Sequence, residues 1–185
     1  MNKPLSIIAQ LAMLGALGTA STQSVAAPAR PAHAAVAATT QGDSVASHIA
    51  TFDELDFDVF THQKWNRLKE SHAPDIVVHW PDGHVTHGIE QHIKDLQAMF
   101  VYAPDTRISA HPIKFGEGPW TSVVGVLQGT FTRPMPIGHG KFIPPTGRAF
   151  KLEMVTIGHW KGATMDEEYL FWDNATFMKQ LGVGS

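Results

Sequence analysis

Imidazoles and carboxylates supply the titratable chemistry of this chain, which carries 11 histidines, 17 acidic side chains and no cysteine in 185 residues. Without thiols there is no disulfide, no thiolate nucleophile and no Cys-ligated zinc. The two remaining groups suit general acid/base work, in which a base takes a proton beside a carbonyl and a donor holds the enolate oxygen. A carboxylate in an apolar pocket fits the first role, because desolvation raises its pKa toward neutrality. Glu153 shares a strand face with Val155 and Ile157, which makes it either such a base or the partner of Lys151 or a cross-strand cation. On the last predicted strand, Glu168, Leu170 and Trp172 share one face, and Glu167, Tyr169, Phe171 and Asp173 share the other. Glu168 is therefore a pocket acid if Leu170 points inward. Asp173 is a second acid candidate by position, and it also reads as the N-cap of a final helix. His79, inside an apolar strand, is a pocket donor or proton relay, or else a hydrogen-bonded core histidine.

His79, His84, His87 and His92 fall within fourteen residues, a density that raises the question of a metal, since neutral imidazole is a frequent zinc ligand. A two-residue Asp82-Gly83 turn would pair Trp80 with Val85 and His79 with Thr86, leaving His87 opposite Val78 on the other face. That register separates His79 from His87, and no His-Glu-x-x-His spacing occurs. The expectation is accordingly no metal. His111 and His159, on predicted strands, are second-rank candidates, while His48, His62, His72 and His139 read as surface or loop residues. Trp80, Trp160 and Trp172, with Met154 and Leu170, read as walls for a flat apolar ligand or as core packing.

Several elements must position these groups. Residues 1–27 carry a short positive start, an apolar run and the small-residue site Val25-Ala26-Ala27, the pattern of a secretory signal peptide. Residues 28–43, rich in Ala, Thr and Pro, read as a linker, leaving 44–185 as one domain. The expected protein is exported, periplasmic or secreted, with no membrane association after cleavage. A formal net charge of -3 provides no field for phosphate backbones, so no nucleic acid partner is expected. Phe57, Phe60, Trp65 and Leu68 mark one or two helices between His48 and Ser71. Ile76 to Trp80 and Val85 to His87 form a hairpin, and Gly88 opens a helix striped with Ile89, Ile93, Leu96 and Phe100. The period then changes to two, with strands predicted over Arg107–Phe115, Thr121–Arg133, Phe150–Trp160 and Met165–Trp172. Pro134 to Ala149 is a long Pro- and Gly-rich connection, expected to be a lid or binding loop. Helices followed by long strands give an α+β domain with a largely antiparallel sheet.

The order of these features resembles the SnoaL-like polyketide cyclase (ester cyclase) family of the nuclear-transport-factor-2-like (NTF2-like) superfamily. The residues that carry it are His79-Trp80-Pro81-Asp82-Gly83, Pro144-Pro145-Thr146-Gly147-Arg148, Phe171-Trp172-Asp173 and Gln180-Leu181-Gly182. The resemblance implies a cone-shaped curved sheet wrapped around N-terminal helices and enclosing a pocket, and homodimers through the outer sheet face. It also implies cofactor-free intramolecular aldol cyclisation, with an acid on the last strand assisted by a pocket histidine. Aligned on Gln180-Leu181-Gly182, Leu170 stands where those cyclases carry the acid. The function expected is acid/base chemistry (cyclisation, isomerisation or hydrolysis) on a small hydrophobic carbonyl compound. The other reading is a non-catalytic exported protein that binds a hydrophobic small molecule.

Overall fold

The computed structural model describes residues 33–183, with side chains from residue 44 onward. The signal-peptide reading of residues 1–27 lies outside the described residues. Helix α1 (His33–Glu54) begins within the span expected to be a linker; its Ala-rich start supports helix better than extended chain. The helix runs on through a π-helical turn, Leu55–Phe60, and a separate 3-10 turn follows at Trp65–Glu70. The stripe that faces inward is Phe52, Leu55, Val59 and Phe60, all buried. It differs from the stripe predicted through Phe57, which is 36% exposed.

Strand β1 (His72–His79) starts earlier than expected and turns back into β2 (Val85–His87). Their register pairs His79 with Val85, Val78 with Thr86 and Val77 with His87, one residue away from the two-residue-turn prediction. The cause is a three-residue turn: Trp80 N donates to His84 O at 3.0 Å and Gly83 N to Trp80 O at 2.9 Å. Gly83 takes φ +89, the left-handed conformation such turns need. His79 and His87 consequently lie on the same face, and the register argument that separated them fails.

Helix α2 (Ile89–Tyr102) crosses the sheet. The predicted strand Arg107–Phe115 splits at Pro112 into β3 (Arg107–Ile108) and β4 (Ile113–Glu117). Both pair antiparallel with β5 (Trp120–Thr130). The connection expected to be an irregular lid contains its own hairpin, β6 (Met135–Pro136) with β7 (Phe142–Ile143). Strands β8 (Ala149–Lys161) and β9 (Thr164–Phe171) complete a curved, unclosed sheet of order β2-β1-β9-β8-β5-β3, with β4 also on β5. Only β1 and β9 run parallel among its pairs. Helix α3 (Asn174–Leu181) is capped by Asp173, which accepts from Thr176 N, and ends at Gly182 in the left-handed region.

The core forms two clusters. One gathers Phe52, Leu55, Ile76, Val78, Trp160 and Met165; the other gathers Phe100, Leu127, Phe131, Phe150, Phe177 and Leu181. Leu96, Met154 and Trp172 pack against both. The space they span is the seam where a cavity opens. No described helix is long and apolar enough to cross a membrane.

Candidate active site

A cavity of about 60 Å³ lies at this seam, lined by Leu55, Phe60, Leu96, Met99, Ile108, Leu127, Met154, Leu170 and the two tryptophans Trp80 and Trp172. At roughly 15 Å³ per water centre, it has space for about four waters or a small organic molecule. Into this apolar surround project Asp56, His72, His92, Asp95, Thr156 and Glu168. Desolvation makes each of these groups more responsive to its neighbours than it would be in water.

Two polar assemblies result. The first begins at Asp56, on the π-helical turn, which is 6% exposed. His111, between β3 and β4, bridges two carboxylates: its Nε2 lies 2.8 Å from Asp56 Oδ2 and its Nδ1 2.7 Å from Asp53 Oδ1. The imidazole side chain is only 1% exposed, whereas Asp53 reaches the surface and binds Lys114 Nζ at 2.7 Å. Burial pushes the Asp56 carboxyl above its ordinary value, against the opposing pull of the His111 hydrogen bond. Burial also works against a charged His111, but the Asp56 and Asp53 carboxylates outweigh it and raise the imidazole above its ordinary value.

The second assembly is Glu168 on β9 with His72 at the start of β1 and His92 on α2. Glu168 Oε2 lies 3.3 Å from His92 Nε2 and 3.7 Å from His72 Nε2. The longer separation is an ion-pair distance, too great for a hydrogen bond. Burial would raise the Glu168 carboxyl, but the two imidazoles overcome it and hold the group below its ordinary value. His92, 2% exposed, is pushed down to about 4 chiefly by burial, so it is neutral near pH 7.

The residues singled out from sequence fall into distinct places. Glu168, Leu170 and Trp172 turn into the cavity from β9 and its end, and Met154 and Trp80 join them. His79 is on the outer side of β1: its Nε2 meets Glu167 Oε1 at 2.8 Å, and its ring stacks on Tyr169 at 4.1 Å. Strand alternation allows only one of two neighbours to face inward; Ile76 and Val78 are buried in the core, so Trp80 faces inward with them and His79 outward. Glu153 is exposed on the outer face of β8, opposite Met154. Asp173 caps α3, its Oδ1 accepting from Thr176 N at 3.0 Å. Trp160 is buried beside the cavity lining but not in it, donating to Thr121 Oγ1 at 2.8 Å and stacking on His48 at 4.4 Å. His72, read as a loop residue, is 1% exposed, because β1 begins at His72 rather than at Ile76.

Asp56, His72 and His92 were missed as site residues, and His111 was held only as a second-rank candidate. Two carried a signal. Phe52, Leu55, Asp56, Val59 and Phe60 follow i, i+3, i+4, i+7, i+8, and Ile89, His92, Ile93 and Leu96 follow i, i+3, i+4, i+7. In each, a polar residue interrupts an apolar helix stripe.

Comparison with known proteins agrees with this architecture. The family model for SnoaL-like polyketide cyclases matches residues 50–181. A protein from Jannaschia sp. CCS1, assigned as a SnoaL-like polyketide cyclase, is similar over 76% of this chain and 94% of its own, at 20% identity and a TM-score of 0.65. IdmH from Streptomyces antibioticus, assigned as a polyketide cyclase, is similar over 74% of this chain and 99% of its own, at 25% identity and a TM-score of 0.62. A Catenulispora acidiphila protein with a ketosteroid isomerase-like fold, in complex with trimethylamine, matches 68% of this chain and 87% of its own, at 15% identity and a TM-score of 0.54. Comparison with curated proteins yields no match.

Proposed function

This chain belongs to the SnoaL-like polyketide cyclase family, and from that premise we propose that it performs side-chain acid/base catalysis on a small hydrophobic carbonyl compound. The observation that carries the proposal is a carboxyl raised by burial, Asp56, held by His111 at 2.8 Å in a cavity with apolar walls. A protein that only sequesters an apolar ligand has no use for two polar assemblies converging on its cavity, each expensive to desolvate.

In this reading Asp56 takes the proton from the carbon beside the carbonyl, and the neutral His92 imidazole donates to the developing enolate oxygen. The enolate then attacks a second carbonyl, or is reprotonated at another carbon. Asp56 returns the proton, so no further reactant is consumed. Leu170 leaves the family's last-strand acid position without a carboxyl, and Asp56 approaches the cavity from the helix instead. His111 is a positioning residue: it fixes Asp56 Oδ2, and Asp53 with Lys114 fixes His111. Substrates of about one ring fit the available volume. Export after removal of residues 1–27 is part of the same proposal, and sequencing the N-terminus of protein from the host envelope tests it.

The catalytic reading is tested by NMR of hydrogen-for-deuterium exchange beside the carbonyl of cyclopentanone in D2O. Exchange above the buffer rate is expected, with a fall of about 10²-fold or more in Asp56→Asn. A folded Asp56→Asn protein that exchanges as fast as the unmodified chain refutes it.

A further inference from the structure

Glu168, His72 and His92 pose a problem of hydrogen counting. Ser71 Oγ donates to Leu68 O at 3.1 Å and lies 2.8 Å from His72 Nδ1. In the tautomer in which Leu68 O takes the single hydroxyl hydrogen, His72 Nδ1 is the donor to Ser71. That hydrogen bond leaves Nε2 of a neutral His72 as a bare lone pair. It faces Glu168 Oε2, a second acceptor, at 3.7 Å. Neither atom has a hydrogen-bond partner, and the same holds for Nδ1 of His92. The side chains are 1%, 2% and 5% exposed, so water outside the protein does not solvate them. Acceptors facing one another in an apolar interior are strongly unfavourable unless a cation lies between them.

We infer that His72, His92 and Glu168 form a binding site for a divalent transition metal ion of the zinc type. Their ligand atoms all lie within 4.8 Å of one another. Zinc bonds of about 2.0–2.1 Å in tetrahedral array place ligand atoms about 3.3 Å apart. The two separations from Glu168 Oε2, 3.3 Å to His92 and 3.7 Å to His72, are close to that spacing. Two imidazoles and a carboxylate suit zinc or a similar borderline ion rather than magnesium, which prefers oxygen. Ser71 supplies the outer partner that fixes the tautomer of a ligating histidine. The three ligands come from rigid elements: Glu168 sits on β9 beside Val78 of β1 in parallel register, and α2 is tied to β1 by Gly88 N donating to Ile76 O at 2.8 Å. The cavity borders all three, which leaves a fourth position open, as catalytic zinc sites do.

The ion is a departure from the metal-free chemistry that the family resemblance implies, and its binding does not depend on the reaction proposed above. The test uses the full chain without a polyhistidine tag, freed of metal with EDTA and titrated with Zn²⁺ by calorimetry. One equivalent is expected to bind, with Glu168→Gln and His92→Gln each weakening it at least about 100-fold and Ser71→Ala about 10-fold. His84→Ala, at an exposed turn, leaves it unchanged. Circular dichroism reports whether each variant is folded. The unmodified chain is also titrated with Co²⁺, which gives the strong visible absorption of a four- or five-coordinate site if the inference holds, whatever the variants do. No stoichiometric Zn²⁺ binding, binding that persists in the folded variants, or a pale six-coordinate Co²⁺ spectrum overturns it. In any of those cases the cluster holds only a proton or a water. Cyclopentanone exchange in EDTA is a separate readout, so loss of the metal claim and loss of the Asp56 claim are distinguishable.

Discussion

Replacing His111 by Phe removes a buried imidazole that two carboxylates share, and the structure gives the size of the effect. Its two contacts, 2.7 Å to Asp53 and 2.8 Å to Asp56, are hydrogen bonds to charged acceptors, worth about 1.5–3 kcal/mol each. Asp53 keeps Lys114 at 2.7 Å and lies partly in water, so its loss is at the small end. Asp56 is left as a buried charge with its bridge gone, the circumstance that costs about 3–5 kcal/mol when one partner of a buried pair is removed. Part of this is relieved because Asp56 can protonate at about 1.4 kcal/mol per pH unit. The expected destabilisation of His111→Phe is therefore about 3–4 kcal/mol near pH 6.5, measured by urea unfolding followed through the five tryptophans. Because the penalty is an uncompensated charge, adding Asp56→Asn to His111→Phe should restore about 1.5 kcal/mol or more. A double variant that is less stable than His111→Phe alone, by the cost of Asp56→Asn, refutes the reasoning. The pH dependence has a definite sign. The folded-state pKa of His111 is raised, so its contribution is fully present below the unfolded value of about 6.5 and is lost as pH rises through the folded value. The stability advantage of the unmodified chain over the double variant should accordingly shrink as pH rises above about 6.5. An advantage that grows over that range contradicts the assignment.

Asp173→Ala should cost about 1 kcal/mol through loss of the α3 cap and leave cyclopentanone exchange unchanged; a loss of exchange with the fold intact would restore Asp173 as a catalytic acid. His79→Ala breaks a half-exposed pair with Glu167 and should cost no more than about 1 kcal/mol in urea unfolding. It too should leave exchange unchanged, since His79 faces away from the cavity.

Much of the fold was legible because it rests on local periodicity. Helix α2 declares itself through Ile89, Ile93, Leu96 and Phe100, β5 and β8 through alternation, and α3 through Asp173 and Gly182. Departures arise where a short-range rule met a longer-range contact. The β1–β2 register followed the Asp-Gly signal, but a turn closed by Trp80 and His84 shifted it by one residue. His72 looked like a loop residue after a helix, because its strand is recruited by pairing with β9, 93 residues away at Met165. Nothing near Ala73-Pro74 in the sequence announces that pairing.

The site residues share a different cause. A search for chemistry among clustered histidines favours residues close in sequence, whereas a cavity at a seam between two core clusters takes one residue from each surrounding element. Asp56 comes from the π-helical turn, His92 from α2, His72 from β1, Glu168 from β9 and His111 from the break between β3 and β4. Within each element the group occupies a position that an apolar residue would otherwise fill. Leu55 and Val59 flank Asp56 on its stripe, Ile89 and Ile93 flank His92, and Leu170 follows Glu168 on its face. A buried polar residue in such a place lowers stability unless something satisfies it, and here the partners come from other elements: His111 for Asp56, the two imidazoles for Glu168. The polar interruption of an apolar stripe was therefore a better guide to this cavity than histidine density. His79, His84 and His87, members of the densest cluster, lie outside the cavity lining. Only His92 of that cluster interrupts a helix stripe, and it alone of the four reaches the cavity.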